Sequence, residues 1–489
     1  MSDKVTLGKL STGVAGLDVL LGGGLTEFSF NLIAGAPGCG KTTLAHQIMF
    51  SLATPERRAL FFTVLGEPPL KMLRYQQQYG FFEMDKVGPA IRYVNLADDL
   101  RAGDFDGVLE RMMKEVEGFS PSLVFVDSFR SVAQTARSGN EGVADLQHFV
   151  QELGTRMTSW QATTFLIGEY AHSETEANPI MTVADGMIAL SQVHEDSTVV
   201  RKLRVIKMRG QAHMGGSHTF RITDDGIRVY PRMLPPLADD HRSGRPVDRD
   251  PRRVPSGVPD LDLMLNGGIP QGHSVLVSGP SGCGKTILGT RFLQEGARLG
   301  EKGVVMSFEK GASRLRNAEL AELVQAGDVA VVESRMIDLT IDVLLDELDE
   351  AIDRTGAQRV LVDSLSELTL YLAPEGRAQL RTVVFRMMAS LARRGVTVMV
   401  TMGLDDQYTQ LQISQAEIAY LTDAIIVMRY GENEGRLRKF LSVVKVRGSA
   451  HSADLREYEI TDAGFEIRPD RTEYEGVLHG VPSARGPRY

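Results

Sequence analysis

The chain has 489 residues, of which 43% are hydrophobic and 24% are charged. This is the composition of an ordinary globular protein, and it excludes a fibre, a disordered chain and a disulfide scaffold. The 54 basic and 63 acidic residues leave a formal net charge of -9, which disfavours nucleic acid as a general partner. We expect two or three domains, each large enough to bury its own core.

Cysteine content and apolar runs indicate a cytoplasmic protein. The two cysteines, Cys39 and Cys283, cannot form a framework of disulfide bonds, as expected in a reducing compartment. The first ten residues lack the basic stretch and apolar core of a signal peptide. No apolar run approaches the roughly 20 residues that cross a bilayer, so we expect no membrane anchor.

Short apolar or β-branched segments recur along the chain and predict strands. Those of the first half are Phe30–Ala34, Ala59–Val64, Leu123–Asp127, Thr163–Ile167 and Gly186–Leu190. Those of the second half are Val275–Ser278, Gly303–Phe308, Arg359–Asp363, Thr397–Thr401 and Ala424–Met428. Helical periodicity lies between them, as in Thr43–Leu52 and Ile341–Thr355. The alternation predicts an α/β fold, with a mainly parallel central sheet flanked by helices in each half.

The same motifs occur twice in the same order, which indicates a duplicated domain. GAPGCGKT at Gly35–Thr42 recurs as GPSGCGKT at Gly279–Thr286, and ITDDG at Ile222–Gly226 recurs as ITDAG at Ile460–Gly464. A segment rich in proline, arginine and aspartate separates the copies. We predict domains over residues 1–232 and 254–470, a linker over 233–253, and a short flexible tail over 471–489.

Each copy carries the phosphate-loop pattern G-x-x-x-x-G-K-[ST] between a strand and a helix. The glycines allow backbone N–H groups to surround phosphates, the lysine reaches the β and γ phosphates, and the threonine hydroxyl binds Mg²⁺. The alternative is a pair of glycine turns without a ligand. The residues predicted to bind ATP are Gly35, Gly38, Gly40, Lys41, Thr42, Thr43, Gly279, Gly282, Gly284, Lys285 and Thr286.

Acidic residues at strand ends would complete the two sites. Asp127 and Asp363 are predicted to hold Mg²⁺ together with Thr42 and Thr286, although an aspartate at a strand end can also cap a helix. Hydrolysis needs a group that activates water, and Glu67 and Glu309 follow matching strands. The alternative for each glutamate is a solvated side chain. Glu169 is a weaker catalytic candidate in the first copy.

A basic motif, K-x-R-G, occurs late in each copy in a β-like stretch. It contains Lys207 and Arg209 in the first copy and Lys445 and Arg447 in the second. These cations could act as arginine-finger groups on the phosphates of a neighbouring subunit. A charged edge strand is the alternative. The histidines that follow, His213 and His451, are expected to be structural.

The combination of two phosphate loops, Asp-Ser strand ends, K-x-R-G followed by histidine and ITD-x-G resembles the KaiC family of double-domain RecA-like ATPases. The resemblance covers nearly the whole chain. It implies a hexameric double ring that binds ATP and Mg²⁺ between neighbouring subunits, with Lys207, Arg209, Lys445 and Arg447 acting in trans. It also implies a slow ATPase in the N-terminal ring, autokinase and autophosphatase activity in the C-terminal ring, and a KaiB-like or other signalling partner.

Two departures from the family pattern concern catalysis. The family has two adjacent glutamates where this chain has Gly66-Glu67 and Glu309-Lys310. Ala419-Tyr420 stand where the family has adjacent Ser and Thr phosphoacceptors, which leaves Ser414, Tyr420 and Thr422 as candidate acceptors. We therefore predict weak, relocated or absent autokinase activity. The alternatives are a working autokinase of a timing system and a signalling scaffold with structural ATP; a DNA motor is disfavoured by the net charge.

Both cysteines occupy the same position of the phosphate loop. A thiol near a helix N-terminus can have a lowered pKa and become sensitive to oxidation. This would place nucleotide binding under redox control. A small residue in a tight turn explains Cys39 and Cys283 equally well.

Overall fold

The structure, a computed structural model, describes most of both repeats. The described residues are 8–63, 69–97, 99, 105–127, 151–157, 159–169, 183–195, 198–232, 252–308, 317–333, 340–372, 380–403, 420–433, 436–461, 464–468, 474–475 and 483–484. The chain divides into two units, Met1–Arg232 and Met233–Tyr489.

The first unit alternates strands with helices before it ends in antiparallel strands. Its strands are β1 Lys9–Leu10, β2 Leu25–Thr26, β3 Phe30–Gly35, β4 Ala59–Thr63, β5 Ile91–Asn95, β6 Leu123–Asp127, β7 Thr163–Gly168, β8 Gly186–Glu195, β9 Thr198–Met208, β10 His218–Thr223 and β11 Gly226–Tyr230. Its helices are α1 Leu17–Leu20, α2 Lys41–Leu52, α3 Pro69–Gln76 and α4 Phe105–Phe119, with a 3₁₀ turn at Met84–Lys86. Residues 151–157 are also helical.

Nine of these strands form one sheet, in the order β11-β10-β9-β8-β3-β7-β6-β4-β5. The six from β8 to β5 are parallel and β9 to β11 are antiparallel. Apolar side chains bury both faces of the parallel part, as in other sheets covered by helices. Leu44 and Ile48 of α2 lie in the core on one face, and Met112 and Val116 of α4 lie in the core on the other.

The second unit repeats the strand order of the first and adds the short strands β23 and β24 after it. Its strands are β12 Arg253–Val254, β13 Ile269–Pro270, β14 Ser274–Gly279, β15 Gly303–Ser307, β16 Val329–Glu333, β17 Arg359–Asp363, β18 Thr397–Gly403, β19 Ala424–Asn433, β20 Arg436–Val446, β21 Leu455–Thr461, β22 Gly464–Ile467, β23 Tyr474–Glu475 and β24 Ser483–Ala484. Its helices are α5 Pro259–Met264, α6 Lys285–Arg298, α7 Ala318–Gln325, α8 Ile341–Thr355, α9 Leu365–Tyr371 and α10 Leu380–Arg393.

The nine-stranded sheet of the second unit has the order β16-β15-β17-β18-β14-β19-β20-β21-β22. This is the topology of the first sheet. The six strands from β16 to β19 in this order are parallel, and β20, β21 and β22 are antiparallel. The predicted fold class, two tandem RecA-like α/β domains, is confirmed. Within the described residues, no helix combines the length and apolar character needed to cross a membrane.

Each nine-stranded sheet has a β-bulge at its basic motif. Met187 pairs with Lys207 while the next residue, Ile188, pairs with Val205, so Ile206 is an extra residue in β9. Val444 is the extra residue at the same place in β20. A bulge reverses the inward-outward alternation of a strand. Lys207 is therefore turned away from the core although it follows the buried Val205 by two positions.

Candidate phosphate-binding sites

The first phosphate loop leaves β3 and opens α2, as its glycines require. Gly38 and Gly40 have φ angles of 75° and 101°, a left-handed conformation that favours glycine. A Cβ atom on Gly40 would also lie 2.9 Å from Cδ1 of Ile222. Lys41 donates from Nζ to the Ala36 carbonyl oxygen at 2.9 Å. The lysine ammonium is thus already held inside the loop that would surround phosphates.

Asp127, at the end of β6, meets the first phosphate loop. Thr42 donates from Oγ1 to Asp127 Oδ2 at 2.6 Å. Burial raises the pKa of Asp127 to about 6, the Thr42 hydrogen bond and the Lys41 charge oppose this rise, and the nearby Glu169 charge adds to it. A partly buried carboxylate next to a hydroxyl is short of positive charge, and a divalent cation would supply it.

A cavity of about 380 Å³ opens above the loop and is large enough for a small ligand. Its lining residues are Gly38, Gly40, Lys41, Thr42, Thr43, Thr63, Met72, Tyr79, Asp127, Glu169 and Ile222. Glu169 follows β7, so a second carboxylate lies beside Asp127 in the same cavity. The structure therefore brings this glutamate, the weaker candidate from the sequence, to the site.

The second loop repeats this geometry at the end of β14. Gly282 and Gly284 have φ angles of 76° and 103°. Lys285 donates from Nζ to the carbonyl oxygens of Gly279 and Pro280 at 2.9 and 2.8 Å. Thr286 donates from Oγ1 to Asp363 Oδ2 at 2.7 Å. Both loops thus combine a lysine, a threonine and a strand-end aspartate.

The donors in both sites fit Mg²⁺ better than a metal that prefers nitrogen or sulfur. Each offers one carboxylate and one hydroxyl oxygen at hydrogen-bond distance, and Mg²⁺ is commonly held by few protein oxygens together with water and substrate phosphates. The described residues contain no group of three or more His, Cys, Asp or Glu side chains that could hold a metal. Nucleotide phosphates would have to complete the coordination.

The first turn of α2 is held by a histidine that the sequence analysis did not single out. His46 is fully buried, and its Nδ1 lies 2.8 Å from the Thr42 carbonyl oxygen. Because a carbonyl oxygen only accepts, Nδ1 donates. The ring packs against Phe61 with centroids 4.5 Å apart, and burial lowers the pKa of His46 to about 4. A neutral imidazole thus links the Mg²⁺-binding candidate Thr42 to the sheet.

Thr290 has the corresponding position in the second site. Its Oγ1 donates to the Thr286 carbonyl oxygen at 2.9 Å and accepts from Nδ2 of Asn317 at 2.7 Å. Asn317 also caps α7 by accepting from the Leu320 N–H. The spacing of four residues from the loop threonine, which shares its helix face, was the available sequence signal for both residues.

The K-x-R-G motifs lie near the start of the parallel strands, at the other end of these strands from the loop of the same domain. Gly35, where the loop begins, pairs with Leu190, whereas Lys207 pairs with Met187. Three residues of strand span about 10 Å, and the loop extends in the other direction. The second domain has the same register, with Lys445 opposite Ile425. Neither motif is placed to reach the phosphates of its own domain.

Both basic motifs are held by acidic or carbonyl groups near the start of the parallel strands. Arg209 Nη1 lies 3.2 Å from Asp185 Oδ1, and Arg447 donates from Nη2 to the Tyr420 carbonyl oxygen at 2.8 Å. Lys445 donates to the Thr422 carbonyl oxygen at 2.7 Å. Partial burial lowers the pKa of Lys207 and Lys445, and the adjacent arginine charge lowers it further.

The structure describes only some of the predicted general bases and phosphoacceptors. Glu67, Glu309 and Ser414 lie outside the described residues. Tyr420 is 70% exposed, whereas the Thr422 side chain is fully buried within the chain. Of the candidate phosphoacceptors that the structure describes, Tyr420 alone is accessible.

The two loop cysteines are buried rather than reactive. Cys39 and Cys283 have no exposed surface, and burial raises the pKa of both thiols despite the opposing charge of the neighbouring lysine. Their Sγ atoms lie where a Cβ on Gly35 or Gly279 would collide with them. This packing supports the interpretation of a small residue in a tight turn and argues against redox control.

Comparison with known proteins identifies relatives along nearly the whole chain. A family model described as "ATPase: KaiC" matches residues 10–233 and 254–472. The "Circadian clock oscillator protein KaiC" of Rippkaea orientalis is 27% identical over 97% of this chain and 91% of the relative. The protein of that name from a Picosynechococcus species and "Circadian clock oscillator protein KaiC 1" of a Synechocystis species are each 26% identical, over 97% of this chain and 92% of the relative.

Proposed function

Because the chain belongs to the KaiC ATPase family, we propose that it is a Mg²⁺-dependent ATPase that works as a hexameric nucleotide switch. ATP would bind at the interfaces between neighbouring subunits. The observation that carries this proposal is the placement of the phosphate loop and the K-x-R-G motif at opposite ends of the parallel strands of each sheet. In a ring each interface joins two different surfaces of neighbouring copies, so the basic motif of one copy can meet the phosphate loop of the next.

The loop side of each proposed site would bind and orient the triphosphate. Lys41 and Lys285 neutralise its charge, and the loop N–H groups fix its position. Thr42 with Asp127, and Thr286 with Asp363, would hold Mg²⁺. When bound, Mg²⁺ supplies positive charge beside the β and γ phosphates.

Glutamates of the same subunit as the phosphate loop would activate the attacking water. Glu67 and Glu309 are the proposed general bases, by their position after the strand that precedes them in the sequence. In the first domain, Glu169 supplies a second carboxylate in the cavity. It is the proposed substitute for the second glutamate that other family members carry next to Glu67.

The K-x-R-G motif of the neighbouring copy would supply cations to the γ phosphate. Lys207 and Arg209 would act in the N-terminal ring, and Lys445 and Arg447 in the C-terminal ring. Arg209 is held by Asp185, and Lys445 and Arg447 are held by the carbonyl oxygens of residues 422 and 420, near the start of the parallel strands.

Autokinase activity is proposed to be weak, relocated or absent. Alanine at position 419 has no hydroxyl, and the Thr422 side chain is buried. The nucleotide state would then be read by a KaiB-like or other signalling protein. A full autokinase cycle would instead require phosphate on Ser414, Tyr420 or Thr422, and mass spectrometry after incubation with ATP and Mg²⁺ distinguishes the two.

The loop variants Lys41→Ala and Lys285→Ala test the proposed sites. Each should remove nucleotide from its own domain, so that about half of the bound ATP is lost, and at least one should lower the hexamer population in ultracentrifugation. Lys302→Ala is the matched control, because Lys302 pairs with Asp328 at 2.8 Å and does not belong to the loop. A wild-type protein that stays monomeric with ATP and Mg²⁺ contradicts the interface model.

A second test separates a role in trans from a structural ion pair. Arg209→Ala should lower kcat in the N-terminal ring while ATP still binds to the loop of each subunit. Asp185→Asn removes the carboxylate partner but keeps the guanidinium. Equal losses of kcat in both variants would show that Arg209 acts through its ion pair alone.

A further inference from the structure

Two tyrosines contact the phosphate loop of the second domain. Tyr458 of β21 is buried and donates from Oη to the Cys283 carbonyl oxygen at 2.6 Å. Tyr430 of β19 donates from Oη to the Ser281 carbonyl oxygen at 3.3 Å. Both phenols therefore bind carbonyl groups of the loop from the sheet side.

These hydrogen bonds orient two peptide planes of the loop. In a trans peptide, the C=O and the following N–H point in opposite directions. When Tyr458 holds the Cys283 carbonyl toward the sheet, the Gly284 N–H points away from the sheet, toward the inside of the loop. Tyr430 has the same effect on the Gly282 N–H. These are two of the donors that a phosphate loop presents to its ligand.

The first domain lacks both hydroxyls at the corresponding positions. Tyr430, Lys439 and Tyr458 form one cross-strand row of β19, β20 and β21. In the first sheet that row is Gln192, Arg201 and Phe220. Phe220 packs at the same place, because its Cε2 lies 3.7 Å from where a Cβ on Gly40 would be. At the position of Tyr458 and Phe220 the two repeats thus differ in a hydroxyl and not in the packing of the ring, whereas Gln192 replaces the ring of Tyr430.

We propose that Tyr458 and Tyr430 are positioning residues that hold the C-terminal phosphate loop ready for a triphosphate, and that Phe220 leaves the N-terminal loop without this support. This inference rests on the proposed function, since it assumes that both loops bind ATP. A loop that is already ordered loses less entropy on binding. The C-terminal site therefore has the higher intrinsic affinity for ATP.

Nucleotide affinity of single sites provides the test. In full-length Lys41→Ala protein, which retains only the C-terminal loop, AMP-PNP with Mg²⁺ is titrated by calorimetry. Tyr458→Phe should raise Kd about tenfold, which corresponds to about 1.4 kcal/mol, and Tyr430→Phe less because its hydrogen bond is longer. Tyr93→Phe is the control, since the Tyr93 hydroxyl is buried without a hydrogen-bond partner.

The reciprocal variant tests the same idea by a gain of affinity. In Lys285→Ala protein, which retains only the N-terminal loop, Phe220→Tyr should lower Kd for AMP-PNP. A lower melting temperature of Tyr458→Phe with unchanged Kd in both tyrosine variants would overturn the proposal, because the phenols would then stabilise the fold only. If Lys285→Ala itself does not remove a bound nucleotide, the proposed function fails instead.

Discussion

The buried histidine beside the first phosphate loop makes the stability of the N-terminal domain sensitive to acid. His46 has a pKa of about 4 in the folded protein because of its burial, whereas a histidine in an unfolded chain titrates near 6.5. As the pH falls below 6.5, the unfolded state takes up a proton that the folded state does not. The stabilisation is complete above pH 6.5 and is lost progressively as the pH approaches 4.

The size of the effect follows from the difference between the two pKa values. Between pH 7.5 and pH 4.5 the loss is about 2.5 kcal/mol. Asp127 changes the stability in the opposite direction as the pH falls. Burial raises the pKa of Asp127 to about 6, so its protonation favours the folded state. A comparison with His46→Asn cancels this term, since both proteins contain Asp127. The asparagine keeps an N–H donor for the Thr42 carbonyl oxygen and has no titratable group.

Urea unfolding in EDTA without nucleotide measures the difference. The single tryptophan of the chain, Trp160, lies in the N-terminal domain, so its fluorescence reports this domain alone. We expect the difference in unfolding free energy between wild type and His46→Asn to change by about 2.5 kcal/mol between pH 7.5 and 4.5. A difference that is the same at both pH values would refute the assigned state of His46.

Two further predictions concern packing in and around the sites. Glu301→Ala should destabilise the C-terminal domain by about 3–5 kcal/mol, because it leaves the buried Arg359 guanidinium without its carboxylate partner. The Arg359 side chain is 1% exposed and lies 2.7 Å from Glu301. Circular dichroism should show this loss of stability while the Trp160 transition stays unchanged. A combined Cys39→Ser and Cys283→Ser protein should bind nucleotide like wild type before and after mild peroxide treatment, because both thiols are buried; selective protection by the serines would contradict this.

Strongly apolar segments made most of the fold predictable. The fully buried strand Leu123–Asp127 and the helix Ile341–Thr355 have the predicted bounds. The outer parallel strands β5 and β16 were missed. β5, Ile91–Asn95, contains an arginine, a tyrosine and an asparagine, and only two of its residues are buried. Such a half-exposed strand at a sheet edge carries too little apolar pattern to be recognised, whereas β16, Val329–Glu333, has four apolar residues among its five and was within reach of the same argument.

The loop contacts that distinguish the two domains could not be read from local sequence. Tyr458 lies 175 residues after Cys283 in the chain. The two residues meet only because β21 lies three strands from β14 in the sheet. His46 was within reach of a local argument, since it follows Thr42 by one helical turn. Whether its ring was buried depended on Phe61 and Tyr93, which other strands provide.

The β-bulges restrict how the antiparallel strands can change in length. Before the extra residue of β9, the core positions are Leu203 and Val205; after it, the core position is Met208. A slip of the segment after Val205 by one residue would bury Lys207 and expose Met208, at a cost of several kcal/mol. Substitutions at Ile206 should therefore be tolerated more readily than a one-residue insertion. Both repeats keep eleven residues in this strand, with the extra residue at the same place.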